Sequence, residues 1–191
     1  LLGSQAAETI TTPMIMSCSD PRSPKLGSHC LIEAHHLPAQ MGAIESWHAN
    51  RIAACVPEGS IDLTPERALM LEAGLDRLGA VDFEKGCYVG QEVTARTHYR
   101  GLVKRRLVPL TIAGVPPVID SDITWQDTVI GKSKTAAALT VPIAGEHTPT
   151  DTKSICLALL KLSDIHNILN APADDDGLTI NGHAAALALA D

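Results

Sequence analysis

The sequence predicts an α+β protein, with a part-helical first half and a small antiparallel β-barrel in the second. Two observations carry that expectation. Residues 64–78 have the marks of a helix: Thr64 is a natural N-cap, Pro65 suits the first helical position, and Glu66 favours the positive end of the dipole. Ala68, Leu71, Leu75 and Leu78 then recur at helical spacing, and Gly79 is placed to end the run. Beyond Gly101 the texture changes to short apolar runs separated by turn signals, the pattern of a small barrel or sandwich.

The elements follow in chain order. Thr11-Thr12-Pro13 and residues 19–24 are breaker-rich and read as loops, with Met14-Ile15-Met16 between them as a short buried strand. His35 and His36 are adjacent, so on a helix or strand they point apart. No third ligand is spaced to help them, and surface or core histidines are the expectation. In the second half, residues 106–112 read as a strand and 114–117 as a turn. A hairpin is expected over 124–132 around Gln126-Asp127, and a strand over 154–162. Asn181-Gly182 within residues 179–185 is the strongest short hairpin signal in the chain. Residues 142–153 and 171–177 read as polar loops. A boundary is placed near residues 101–104, dividing the chain into 1–101 and 102–191.

Composition bounds the function. Of 191 residues, 45% are hydrophobic and 19% charged, the balance of a globular chain. Aromatics are only 3%, so Leu, Ile, Val and Ala must build the core. No apolar run approaches the roughly 18 residues that a membrane helix needs. Five cysteines without a C-x-x-C pair suggest a reducing compartment rather than a disulfide framework or zinc ribbon. The chain opens Leu1-Leu2-Gly3 without a basic n-region, so no signal peptide is expected, and a start partway through a longer protein is. The net charge of −7 argues against indiscriminate binding to nucleic acid or acidic membranes. That charge is uneven: residues 85–106 hold six Lys or Arg against the single acid Glu92, which reads either as a place for an anionic ligand or partner or as a solvated basic strand end.

One segment of that basic stretch stands apart. Gly86 and Gly90 bracket Cys87-Tyr88-Val89, letting the backbone turn on both sides of the thiol, and residues 91–98 read as a short helix. A cysteine near a helix N-terminus with Lys85 close by is a recipe for a reactive thiolate. A small buried hydrophobe in a tight loop is the competing reading. Glu92 and Arg96, four apart, are explained by a helix-surface ion pair. No Walker loop or G-x-G-x-x-G motif supports nucleotide binding.

The run Lys85-Gly86-Cys87-Tyr88-Val89-Gly90-Gln91-Glu92-Val93-Thr94-Ala95-Arg96, followed by Tyr99-Arg100-Gly101, resembles the signature of the YgfZ-type folate-binding proteins. These are relatives of the glycine cleavage T-protein and include mitochondrial iron–sulfur cluster assembly factors. Asp20-Pro21-Arg22 with Leu26-Gly27, Arg51-Ile52-Ala53 with Val56-Pro57-Glu58, and Leu71-Glu72-Ala73-Gly74-Leu75-Asp76 resemble further pieces of that family. Cys55 departs from it, standing where a glycine is usual, and His29 stands near where an arginine often follows Leu-Gly. The family's additional N-terminal part, one wall of its folate tunnel, is not recognisable, so the chain resembles a C-terminal portion.

The resemblance implies part of a T-protein-like α/β folate-binding region followed by a small barrel. It implies a tetrahydrofolate-binding accessory protein, rather than a catalyst with turnover, that supports assembly or repair of iron–sulfur clusters in client enzymes, tRNA-modifying ones included. Cys87 would be the functional thiol, touching a cluster or another thiol transiently, or acting in redox chemistry beside the folate. Lys85, Tyr88, Gln91, Glu92, Arg96 and Arg100 would hold tetrahydrofolate, with or without a polyglutamate tail. Partners would be folate and iron–sulfur client or assembly proteins, with no membrane and no direct nucleic-acid binding. The cytoplasm is the expected compartment and the mitochondrial matrix the alternative. A folate-dependent aminomethyltransferase and a non-catalytic truncated member are the competing functions.

Overall fold

The computed structural model describes residues 14–37, 43–139, 152–172 and 177–189. Among these, strand β1 (Met14–Ser19) pairs antiparallel with β2 (Ser28–Ile32) in a two-stranded hairpin. Helix α1 (Ile44–Ala53), the short α2 (Gly59–Asp62) and α3 (Gln91–Tyr99) lead into the second half. There β3 (Arg105–Ile112), β4 (Asp122–Trp125), β5 (Thr128–Leu139), β6 (Lys153–Lys161), β7 (Leu178–Ile180) and β8 (His183–Leu187) close into an antiparallel barrel of order β3-β6-β5-β4-β7-β8. Closure leaves no exposed sheet edge. The chain is thus α+β with a six-stranded antiparallel barrel, as expected.

Barrel geometry follows from alternation along β6. Cys156, Ala158 and Leu160 face inward and meet Val108, Leu110, Ile112, Ile123, Leu178 and Ile180. The intervening Ile155 and Leu157 face outward and pack with Leu107 and Ala137 against Ala49 and Ile52 of α1. Both faces of β6 are therefore covered, which is why it reads as a continuous apolar run rather than an alternating one. Each fully buried leucine or isoleucine contributes about 1.5–3 kcal/mol of transfer free energy.

Local turn chemistry sets the hairpins. Gln126 and Asp127 both have positive φ, 48° and 61°, and join β4 to β5. Asn181 and Gly182, at 51° and 79°, join β7 to β8. Two successive left-handed residues match the twist of the strands they connect. A helix that the sequence did not announce, α4 (Leu162–Leu169), follows β6 directly and places Ile165 and Ile168 against the barrel interior. The final residue assigned to the strand over 154–162 is thus the first of this helix.

Two expectations need correction. Residues 64–78 form successive turns rather than one helix, because Glu66 (φ 62°) and Gly74 (φ 76°) adopt left-handed backbone and interrupt the ladder. The amide of Leu75 reaches back five residues to the Met70 carbonyl, which closes the helical turn instead of extending it. Leu71 is buried, but Ala68 is exposed, so the helical stripe is divided. The strand at Met14-Ile15-Met16 exists and is exposed along its length, since among the described residues it pairs with β2 alone and belongs to neither core cluster. The loops at 11–13 and 142–151 lie outside the described residues, as do 173–176 of the second polar loop.

Candidate functional site

The signature begins with an Asx turn: Asp82 Oδ1 accepts the amides of Glu84 (2.9 Å) and Lys85 (3.2 Å). The chain then runs without regular structure through Cys87, and Gly90, at φ 88°, turns it into α3 as a left-handed N-cap that a side chain would resist. Gly101, at φ 61°, closes the other end, where the Leu102 amide reaches the Thr97 carbonyl at 2.9 Å. Sequence therefore delimits this helix closely at both ends.

Placement of the expected site residues is mixed. Cys87 is exposed and has no hydrogen-bond partner among the described residues. Lys85 does not aim at it; its ammonium lies 4.7 Å from the centroid of the Tyr88 ring, a cation–π contact. Arg96 is ion-paired to Glu92, as the four-residue spacing implied, and both are exposed, so the pair is worth a few tenths of a kcal/mol. Gln91 is half-buried and Arg100 exposed. Phe83 stacks on His98 at 3.8 Å between centroids, with Tyr99 edge-on to His98, bracing the loop against the helix. Val89 and Val93 are fully and two-thirds exposed, leaving an uncovered apolar strip beside the thiol.

Surface clefts lie elsewhere. One of about 260 Å³ is lined by Arg22, Lys25, Cys55, Arg77 and Leu107, a second of about 210 Å³ by Asp62, Arg67, Glu72, Arg105 and Lys134. A third, about 320 Å³, runs along Arg105, Lys132, Lys134 and Lys161. None of the three is lined by residues 85–100. Within the signature, Cys87, Val89 and Val93 are exposed among the described residues.

The other motifs resolve into structural devices. Buried Asp20 accepts from the Arg22 amide and Nε at 2.9 and 3.0 Å and from Nη2 at 2.6 Å, and lies 2.7 Å from His29 Nε2. The Arg22 hydrogen bonds hold its carboxyl well below the usual range despite the opposing effect of burial. His29 thus takes part in the clamp of the hairpin. Arg51, 1% exposed, donates from Nη1 to the Val56 carbonyl (3.1 Å) and Asp62 Oδ2 (2.9 Å), and its Nη2 lies 2.9 Å from Glu58 Oε2. Asp62 also accepts from the amide (2.8 Å) and hydroxyl of Thr135 on β5. The β5 register shifts between Ser133 and Ala136, which frees that amide from the ladder. Arg106 makes a two-pronged pair with Asp76, at 2.7 and 2.9 Å. Burial pushes the Asp76 carboxyl up, and the Arg106 contacts more than offset it, leaving it lowered. One of the six cations of the basic stretch, Arg106, is thereby spent on structure. The Asp62–Thr135 link was not visible in sequence, because its partners stand 73 positions apart.

Cysteine chemistry divides the same way. Cys55 adopts φ 54°, so the glycine-like backbone is kept while the side chain is not. The left-handed conformation costs a non-glycine residue roughly 1–2 kcal/mol. Its thiol donates to the Leu107 carbonyl at 3.0 Å, and burial pushes it up against the opposing pull of Arg77. Burial pushes the Cys156 thiol up to about 12. Cys87 is the exposed thiol on the signature segment.

The chain is similar to proteins named as mitochondrial iron–sulfur cluster assembly factors. It is 41% identical over 121 residues to the IBA57 homolog of Mycosarcoma maydis, covering 60% of this chain and 29% of that protein. Against iron-sulfur cluster assembly factor IBA57 of Homo sapiens the identity is 40% over 119 residues, 60% of this chain and 33% of that one. Against the Neosartorya fischeri homolog it is 33% over 144 residues, 70% and 31% respectively. No protein-family model matches. The chain spans about a third or less of the length of the relatives it matches. The similarity thus lies with proteins named as iron–sulfur cluster assembly factors, and these are named mitochondrial, which fits the alternative compartment rather than the expected cytoplasm. No helix among the described residues is long and apolar enough to cross a membrane.

Proposed function

We propose that this chain works in iron–sulfur cluster assembly, in the mitochondrial matrix, by presenting Cys87 to an iron–sulfur client or assembly protein. The observation that supports the reading most is the exposed, unpartnered Cys87 on a loop held by Asp82, Gly90 and the Phe83–His98 stack, in a chain about 40% identical to such factors over some 120 residues. A thiolate is a natural ligand for cluster iron, and an exposed one can share a cluster with ligands from a second protein. Val89 and Val93 give that second protein an apolar strip beside the thiol. Clients that modify tRNA fall within this reading.

Tetrahydrofolate fits the segment only in part. Lys85, Arg96 and Arg100 are cations suited to its carboxylate tail, and Tyr88 offers a ring face. Yet Lys85 already lies over Tyr88, Arg96 is paired with Glu92, and none of the three clefts described above is lined by these side chains. The residues present do not by themselves form a folate pocket, and no step is assigned to folate. A folate site here would need a second wall.

The test is anaerobic incubation of the chain with a cluster-loaded assembly protein, followed by size exclusion with detection of cluster absorbance. A complex lost in Cys87→Ala and kept in Cys156→Ala supports the proposal; retention of the cluster by Cys87→Ala overturns it. Calorimetric titration with tetrahydrofolate decides the folate reading separately. Saturable binding supports it, and no heat from the folded chain removes it.

A further inference from the structure

The segment after β2 was expected to hold two unrelated histidines, on the premise that neighbours on a helix or strand diverge. The backbone there is neither. Residues Ala34–His36 form a 3-10 turn entered from Glu33, with the His36 amide bonded to the Glu33 carbonyl at 2.9 Å. At three residues per turn, side chains at i and i+3 eclipse, so Glu33 and His36 share one side. His35 is not carried away from them: its ring centroid lies 4.0 Å from that of His36, the planes tilted by 42°.

We propose that Glu33, His35 and His36 form a binding site for a divalent transition-metal cation of the zinc class. Each offers one ligand atom, and the three atoms lie within 4.8 Å of one another. Glu33 Oε2 and His35 Nε2 are 3.3 Å apart. That is the ligand–ligand separation of a tetrahedral zinc site, about 3.3 Å for bonds of about 2.0–2.1 Å. Glu33 and His35 are exposed, so rotation of their side chains about the turn can bring in the third ligand. A second, independent observation points the same way. His36 Nδ1 is buried and has no hydrogen-bond partner among the described residues. An imidazole nitrogen shielded from water gains a partner when a cation binds through that atom.

Donor chemistry narrows the ion. Two imidazoles and one carboxylate suit zinc, cobalt and ferrous iron, whereas calcium and magnesium prefer all-oxygen sets. With three protein ligands, a position stays open for water or for a group from a partner, as in sites that act rather than merely brace a fold. Within the affinity order of divalent metals, zinc exceeds ferrous iron at such a set. The site is separate from Cys87 and rests on none of the proposed thiol chemistry.

The experiment is a titration of the tag-free full chain with Co²⁺, followed by visible absorption and then by displacement with Zn²⁺. The proposal requires d–d bands of a tetrahedral site, saturating at one equivalent, without the sulfur-to-cobalt charge-transfer band that a cysteine ligand produces. His36→Ala should weaken binding at least tenfold, and Cys87→Ala should leave it unchanged. Wild-type affinity in His36→Ala, a charge-transfer band, or no binding at all overturns the proposal. Should His36→Ala fail to fold, Glu33→Gln and His35→Ala, both at exposed side chains, decide between the same two outcomes.

Discussion

Replacing Asp62 by alanine removes the acceptor that ties α2 to both α1 and the barrel. Its two oxygens take hydrogen bonds from Arg51 Nη1 (2.9 Å), the Glu58 amide (2.8 Å), and the Thr135 amide (2.8 Å) and hydroxyl. The side chain is fully buried, as is that of Arg51. After the change, the guanidinium keeps the Val56 carbonyl and the half-exposed Glu58, while its one fully buried counter-charge is gone. Breaking a buried pair from one side costs about 3–5 kcal/mol, because the remaining charge stays desolvated. For a chain of this size each kcal/mol moves the midpoint by roughly 2–4 °C, so a fall of roughly 6–20 °C is expected. Thermal and urea unfolding followed by far-ultraviolet circular dichroism reads it. Arg51→Met alone should cost a similar amount, and the double variant less than the sum, because neither charge is then stranded. A loss under about 1 kcal/mol in Asp62→Ala, or strict additivity in the double variant, refutes the argument.

Two further predictions concern titration and access. Native-state alkylation resolved by peptide mass spectrometry should modify exposed Cys87 well before Cys156, which is buried with its thiol pushed up to about 12; equal rates would contradict the placement of Cys156 inside the barrel. The lowered Asp20 carboxyl has an equally definite sign. Its stabilisation is fully present above the ordinary value of 3.8 and is lost as pH falls below it. The midpoint difference between wild type and Asp20→Asn should therefore be large at pH 7 and shrink steadily below about pH 5; a difference independent of pH would show that the carboxylate is not held by Arg22 and His29.

Much of this molecule was legible because the relevant physics is local. Gln126-Asp127 and Asn181-Gly182 specify hairpins through their tolerance of left-handed backbone, and both turns are where the sequence places them. Gly90 and Gly101 bound α3 for the same reason, and the Glu92–Arg96 pair follows from helical spacing. The bracketing glycines singled out Cys87 but left a buried thiol as the competing reading, and its exposure came only with the structure. What sequence could not decide depends on groups far apart along the chain. The apolar stripe of residues 64–78 suited a helix, but a turn that buries Leu71 and brings Asp76 to Arg106 satisfies the fold instead. Adjacent histidines were read through the periods of helix and strand, and only the 3-10 backbone brings Glu33 beside them. Arg51 and Thr135 meet at Asp62 because a bulge in β5 frees an amide, an event with no signature of its own. By itself, then, the sequence determined the turns and the strand periodicity, each set by neighbours within a few residues. Only the tertiary structure decided which strands close the barrel, which charges are buried and which thiols are silenced, because those depend on what long-range packing removes from water.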